Sequence, residues 1–267
     1  MLLVIDCGNT NTGFAVYKDI SCVGSWRTST NISRTADEYA VWLTELLALG
    51  GLVIKDIKGI IIANVVPETS FNLINLCEKY FQIRPMVVGE TEVNLGITID
   101  IDDPKEVGAD RVVNAVGALD RYEGSLIVVD FGTATTFDVV DADGTYRGGV
   151  IAPGINLSLE ALYNAAARLP RISISETKNS ESSTKILNVI GKSTKAAMHS
   201  GIFWGYIGLI EGIVKRIKNE FVKPMTVIGT GGLANIFYDA TDSIDYIDED
   251  ITNAGLVLIY KRNLPWK

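Results

Sequence analysis

Histidine is almost missing from this chain of 267 residues, which has only His199. A histidine cluster for a metal is thereby excluded. His199 falls on a presumed long helix and reads as a packing or surface residue, so a Ser-His-Asp centre is set aside as well. Cysteine is scarce too: Cys7, Cys22 and Cys77 are far apart, odd in number and form no CxxC pair. That pattern speaks against a zinc site and against a disulfide framework, and it suits a reducing cytoplasm. No apolar run reaches the roughly 18–20 residues of a membrane span. The best candidate, Gly59 to Val66, is the length of a strand. Met1 leads directly into β-forming residues with no charged n-region or cleavage site, so export by a signal peptide is not expected. Basic residues are outnumbered, 24 Lys and Arg against 32 Asp and Glu, for a net charge of −8, and they are scattered. Neither nucleic acid nor a membrane is expected as a partner. An anionic substrate would need local neutralisation by Mg²⁺, backbone N–H groups and one or two placed cations.

What the chain does have is one turn written twice. Ile5-Asp6-Cys7-Gly8-Asn9-Thr10-Asn11-Thr12 returns 124 residues later as Val129-Asp130-Phe131-Gly132-Thr133-Ala134-Thr135-Thr136, with Asp, Gly and the last Thr at matching offsets. Each copy follows a run of β-formers and leads into another, which predicts strand, tight turn, strand. Glycine lets a backbone approach a phosphate closely, neighbouring N–H and hydroxyl groups can donate to it, and a carboxylate at the strand end can hold a cation. One Asp-x-Gly turn would be an ordinary β-turn. Two copies, one at the start of the chain and one near its midpoint, with a third glycine turn at Gly229-Thr230-Gly231-Gly232, point to nucleotide binding by a two-lobed protein.

Between these turns strands and helices alternate, which predicts an α/β architecture. Thr35 to Glu38 reads as a capping box ahead of an amphipathic helix with Ala40, Val41, Leu43, Leu46 and Leu47, ending near Gly50-Gly51. Further strands are expected at Gly59 to Val65, Met86 to Val88, Ile97 to Ile101, Met225 to Ile228 and Ile244 to Ile247. Helices are expected at Thr69 to Phe81, Glu106 to Arg121, Asn156 to Ala167, Lys195 to Phe221 and Asn253 to Lys261. Gly148 to Gly154 reads as a glycine-rich connector, and Ser173 to Lys185 as an exposed polar loop. Gly191-Lys192-Ser193-Thr194 imitates a P-loop, but Ile186 stands where the motif needs glycine and no strand precedes it. Ser193 or Thr194 is better read as a helix cap.

Carboxylates are therefore the candidate bases. Asp110 sits beside Arg111 in the first turn expected of the Glu106 to Arg121 helix, where an anion is favoured. Its bland reading is dipole compensation with a surface ion pair. For phosphoryl transfer to an alcohol, Asp110 could accept the hydroxyl proton while Arg111 grips an anionic substrate.

Taken together these residues resemble the type III pantothenate kinases, a branch of the actin, sugar-kinase and Hsp70-like ATPase superfamily. The likeness runs through the two turns, Asp103 to Ala115, Gly148 to Gly154, Gly191 to Thr194, Ser200 to Tyr206 and Gly229 to Gly232. It implies a duplicated ribonuclease-H-like fold, two lobes each with a mixed sheet flanked by helices, divided at about 1–117 and 118–267, with ATP between them. It implies a cytoplasmic homodimer that transfers the γ-phosphoryl group of ATP to the primary hydroxyl of pantothenate. By position, Asp6, Cys7, Gly8, Asn9, Thr10, Asn11, Thr12 and Gly13 correspond to the first ATP loop, with Asp6 near Mg²⁺ through water. Thr133 corresponds to the second ATP loop and Gly231-Gly232 to the adenosine turn. Asp130 matches a ligand of a monovalent cation, K⁺ or NH₄⁺. Gly108, Ala109, Asp110 and Arg111 match the pantothenate site with Asp110 as proton acceptor, and Thr194 matches a further pantothenate contact. The glycine-spaced helix from Lys195 is the candidate dimer contact. Two departures stand out: Ile101 replaces a tyrosine that contacts pantothenate in many relatives, and the segment 173–185 resembles an insertion.

Overall fold

A computed structural model describes residues 1–166, 169–173 and 188–264. The chain forms two compact units. One holds Met1–Arg121, Asp143–Tyr146 and the stretch from Asp250; the other holds Tyr122–Ala142 and Arg147–Glu249.

The first unit is built on strands β1 (Leu2–Cys7), β2 (Asn11–Lys18), β3 (Ser21–Ser29), β4 (Gly59–Asn64) and β5 (Met86–Val87), in the order β3-β2-β1-β4-β5. β1 pairs antiparallel with β2 and parallel with β4, and β2 pairs antiparallel with β3. Side chains alternate along β1 because successive residues of a strand face opposite sides. Leu3, Ile5 and Cys7 enter a core with α1 (Ala36–Leu49) and α2 (Ser70–Leu76). Leu2 and Val4 enter a second core with α3 (Ala109–Arg121) and α7 (Ile251–Arg262). The capping box at Thr35 forms as expected: the Thr35 amide donates to Glu38 Oε2 over 2.8 Å and the Glu38 amide donates to the Thr35 hydroxyl over 3.3 Å. Val41, read as part of the apolar stripe, is 70% exposed.

The second unit repeats the plan with β7 (Ser125–Phe131), β8 (Ala134–Val140), β9 (Thr145–Pro153), β10 (Met225–Thr230) and β11 (Tyr246–Ile247). Their order, β11-β10-β7-β8-β9, is that of the first sheet with equivalent strands substituted, and β6 (Thr98–Ile99) adds parallel to the start of β9. β7 pairs antiparallel with β8 and parallel with β10, as β1 does with β2 and β4. This duplication is the ribonuclease-H-like architecture anticipated above. α4 (Ile155–Ala165), α5 (Thr194–Phe221) and α6 (Ala234–Phe237) complete its core.

Several expectations needed adjustment. Gly148 to Gly154, read as a connector, is the second half of strand β9. The strand β3 had no counterpart in the reading, because it is mostly exposed and lacks an apolar alternation. The helix expected over Thr69 to Phe81 is a 3₁₀ turn at Pro67–Thr69, then α2, then a π-turn at Cys77–Phe81. Of the polar segment Ser173 to Lys185, all but Ser173 lies outside the described residues.

Two tight places anchor the units. α3 and α7 cross where Gly117 and Gly255 meet: a Cβ on Gly255 would sit 2.0 Å from the Val113 carbonyl oxygen, and one on Gly117 2.2 Å from that of Ile251. In the second unit, Asp141 accepts from Lys223 Nζ over 2.8 Å, from the Ser125 hydroxyl over 2.9 Å and from the Ala142 amide over 2.7 Å. The Lys223 bond foremost lowers its pKa to about 2.

Gly255→Ala would gain about 1 kcal/mol of helix propensity. Against this stands about 1–3 kcal/mol for overpacking two backbones that cannot part without moving α7. A lower Tm is therefore expected in thermal denaturation, and a higher one would show that the crossing has slack. Asp141 binds a proton more weakly in the folded chain than in the unfolded one. Its contribution is fully present above about pH 4 and is lost as pH falls through 2. Asp141→Asn should therefore be less stable than the parent at pH 7, with the gap closing between pH 4 and 2 in chemical denaturation.

Candidate functional site

The alternation along β1 sends Asp6 to the side of the sheet occupied by α3 and Cys7 to the opposite core. The turn that follows is a four-residue loop closed by the Gly8 amide donating to the Asn11 carbonyl over 3.0 Å. Asn9, Thr10 and Asn11 are exposed, whereas Cys7 and Thr12 are fully buried and Gly8 and Gly13 are half-buried. The Thr12 hydroxyl lies 2.9 Å from that of Thr30 and 3.4 Å from Cys7 Sγ, which in turn lies 3.3 Å from the Thr69 hydroxyl. Of the eight residues assigned to the first ATP loop, Cys7 and Thr12 thus turn their side chains inward. Only their backbone faces the turn.

Next to this loop lies the start of α3. The Val65 amide donates to the Cys7 carbonyl over 3.0 Å, and the Val65 side chain comes within 3.7 Å of where a Gly108 Cβ would stand. The same hypothetical Cβ would lie 2.6 Å from Asp110 Oδ1, so a side chain at 108 would displace the carboxylate. Asp110 Oδ1 accepts from the Arg111 amide over 2.8 Å. Burial pushes the Asp110 carboxyl above the ordinary carboxylate range; the Arg111 amide and charge pull it partly back. Desolvation outweighs both, which is the expected order for a carboxylate shielded from water with a single charged neighbour. The Arg111 guanidinium lies over the Tyr146 ring, 5.8 Å from its centroid, and Tyr146 is 1% exposed. Tyr146 is not recognisable as a site residue from the sequence, because an aromatic in a strand carries no local sign that a distant arginine will rest on it. Ile101, the departure noted above, is half-buried.

In the second unit the repeated turn is shorter. Its loop has three residues, closed by the Gly132 amide donating to the Ala134 carbonyl over 3.0 Å. Asp6 faces Gly13 across its hairpin and Asp130 faces Thr136, so the buried counterpart of Thr12 is Thr135 rather than the Thr136 of the matching offset. Thr133 is exposed and its carbonyl accepts from the Gly154 amide over 3.1 Å. Asp130 is brought beside the third glycine turn, since Thr230 is its partner in the parallel β7–β10 pair. Gly231 has φ +89°, and a Cβ there would stand 2.5 Å from Asp130 Oδ1. The space that a side chain would fill is held by the carboxylate, with Gly132 on its other flank at 3.8 Å by the same measure. Asp130, Gly132 and Gly231 are therefore brought together; Thr133 and Gly232 follow the two glycines in the chain. Thr194 opens α5, where Ser193 is the cap, accepting from the Ala196 amide over 3.2 Å, and Thr194 is exposed. His199 is a buried residue of the same helix, in keeping with a packing role.

Carboxylate oxygens beside exposed turns fit a hard cation. Mg²⁺ is commonly held by one or two carboxylates together with substrate phosphates.

Duplicated sheets with glycine turns after equivalent strands place the chain in the actin-like, duplicated ribonuclease-H-like fold class, with a half-buried carboxylate at a helix start. Solved structures agree on the fold. One, described as a Baf family transcriptional activator from Campylobacter jejuni, aligns with TM-score 0.61 at 19% identity, covering 98% of both chains. Another, described as a 2-dehydro-3-deoxygalactonokinase from Sinorhizobium meliloti, aligns with TM-score 0.56 at 14% identity, covering 100% of this chain and 98% of the other. Sequence is more specific: the type III pantothenate kinase family model matches residues 2–216. The type III pantothenate kinase of Rhodospirillum rubrum is 58% identical over 99% of this chain and 100% of its own length. The chain belongs to the type III pantothenate kinase family.

Gly231→Ala would place a non-glycine residue at positive φ, costing about 1–2 kcal/mol, and would push on Asp130. A lower Tm and weaker nucleotide binding are expected, measured by thermal denaturation and equilibrium titration. Parental values for both would separate Asp130 from the glycine turn.

Proposed function

We propose that this chain phosphorylates pantothenate at its primary hydroxyl, using ATP, to give 4′-phosphopantothenate, the first step of coenzyme A biosynthesis. The observation that carries this reading is Asp110. It is a carboxylate with a raised pKa at the first turn of α3, beside Arg111, within the span that the family model matches.

In this reading the substrate hydroxyl attacks the γ-phosphorus, its proton passes to Asp110, and the bond from phosphorus to the bridging oxygen breaks to release ADP. A raised pKa suits the task, because a base nearer neutrality accepts a proton more readily while remaining ionised. Arg111, held against Tyr146, faces the pantothenate carboxylate, with Gly108, Ala109 and Thr194 as further contacts. The loop from Asp6 to Gly13 receives the phosphates, Thr133 contacts ATP from the second turn, and Gly231-Gly232 lie at the adenosine. Asp6 would hold Mg²⁺ and Asp130 a monovalent cation, K⁺ or NH₄⁺. When bound, such ions would neutralise phosphate charge in a chain whose net charge is −8. α5 is the proposed homodimer contact: Gly201, Gly205 and Gly208 each have open space where a Cβ would stand, which leaves room for a partner backbone. Three free cysteines suit a cytoplasmic setting, and among the described residues no helix is long and apolar enough to cross a membrane.

A coupled assay for ADP release, with pantothenate, MgATP and K⁺, tests the reaction; no release would sink it. Pantothenol, which lacks the carboxylate, should be a much poorer substrate because Arg111 then has no anion to meet. Asp110→Asn should lower kcat by about 10²- to 10⁴-fold with ATP binding retained. Because burial holds the Asp110 carboxyl up, kcat/KM of the parent should rise with pH through a pKa above the ordinary carboxylate range. An acid limb within that range would remove Asp110 as the base.

A further inference from the structure

Beyond β3 lies Thr30, a residue that belongs to none of the motifs above and yet bonds to the first turn at three places. Its amide donates to the Thr10 carbonyl over 2.9 Å and its hydroxyl to the Gly8 carbonyl over 2.7 Å. The hydroxyl also lies 2.9 Å from that of Thr12. With the Thr30 proton given to Gly8, Thr30 can only accept in this second contact, and the Thr12 hydroxyl, which also donates to Cys7 Sγ over 3.4 Å, stands between the two. Thr12 is fully buried and cannot swing away.

Peptide planarity turns these contacts into a direction. In a trans peptide the C=O and the following N–H point opposite ways, and the described chain has no cis peptide. Drawing the Gly8 carbonyl toward Thr30 therefore aims the Asn9 N–H away from Thr30. Drawing in the Thr10 carbonyl does the same for the Asn11 N–H. Both asparagines are exposed. Without the Thr30 hydroxyl the Gly8–Asn9 peptide loses the contact that orients it, and a flip would present a carbonyl dipole where a phosphate needs a donor.

We infer that Thr30, seated on Thr12, is a positioning residue of the phosphate turn, holding the Gly8–Asn9 and Thr10–Asn11 peptides with their N–H groups toward the nucleotide. The inference rests on reading the first turn as an ATP loop. Neither the pantothenate contacts nor the proton acceptor involve Thr30, so its effect falls on ATP alone.

Thr30→Val keeps the shape and the amide bond to Thr10 and removes only the hydroxyl. It is expected to raise the Kd and KM for MgATP about 3- to 10-fold, the scale of one net hydrogen bond, with the pantothenate KM unchanged. Thr30→Ser should restore parental values. A purely structural role would instead lower Tm and reduce the active fraction while leaving both KM values alone. Should Thr30→Val fail to fold, Thr30→Ala carries the same test. A parental Kd for MgATP in a folded Thr30 variant lacking the hydroxyl overturns the inference. Because nucleotide binding is titrated directly, absence of pantothenate turnover in the parent would count against the reaction and not against Thr30.

Discussion

Asp6 and Cys7 leave the end of one strand in opposite directions, and much of the first unit follows from that. A strand offers its side chains alternately to two faces. Leu3, Ile5 and Cys7 fill the core under α1 and α2, which leaves Leu2, Val4 and then Asp6 to the face covered by α3 and α7. The apolar run of β1 thus holds the strand on both sides while its last polar residue emerges on the side where α3 begins. Shifting β1 by one residue would bury a carboxylate under α1 and expose Cys7, so the two cores also enforce the register. The antiparallel pairing with β2 and the parallel pairing with β4 hold the same position from the sheet's own plane.

The second unit shows how far one template can diverge while its topology is kept. Strand order, pairing sense and the glycine turn all recur, yet the second hairpin closes over three residues where the first uses four. That single residue moves the buried threonine from position 136 of the matching offset to Thr135. It also changes what surrounds the aspartate. Asp130 occupies space left by Gly231, at the end of the adjacent parallel strand. The equivalent strand of the first unit ends in Asn64, whose side chain bonds to Thr69, Ser70 and the Val66 amide. One turn leans on hydroxyls and the other on glycine backbone.

Much of this was legible in the residues. The repeat, the strand–turn–strand context, the capping box at Thr35 and the helix beginning near Gly108 are local patterns, and each has a local physical cause. The motif from Asp103 to Ala115 carried the family, because glycine, aspartate and arginine in succession at a helix start are constrained by chemistry as well as by folding. Less legible were features whose cause is distant in sequence. The strand β3 shows no apolar alternation, since it is held by pairing with β2 more than by burial. Gly148 to Gly154 has the composition of a connector and was drawn into β9 by its sheet neighbours. Val41 has the hydrophobicity of a core residue but falls on the outer side of α1.

By itself, then, the sequence determined that this is a duplicated α/β chain with paired phosphate turns, one Gly108-Ala109-Asp110-Arg111 motif and membership in one kinase family. Periodicity, capping and glycine placement act over a few residues and can be read there. Only the tertiary structure decided that Cys7 and Thr12 face inward, that Thr135 is the true counterpart of Thr12, that Arg111 rests on Tyr146 and that Thr30 grips the turn 22 residues before it. Those outcomes depend on which surfaces meet once the strands have paired. A hydrogen bond or a ring contact between distant residues leaves no periodic trace in either of them.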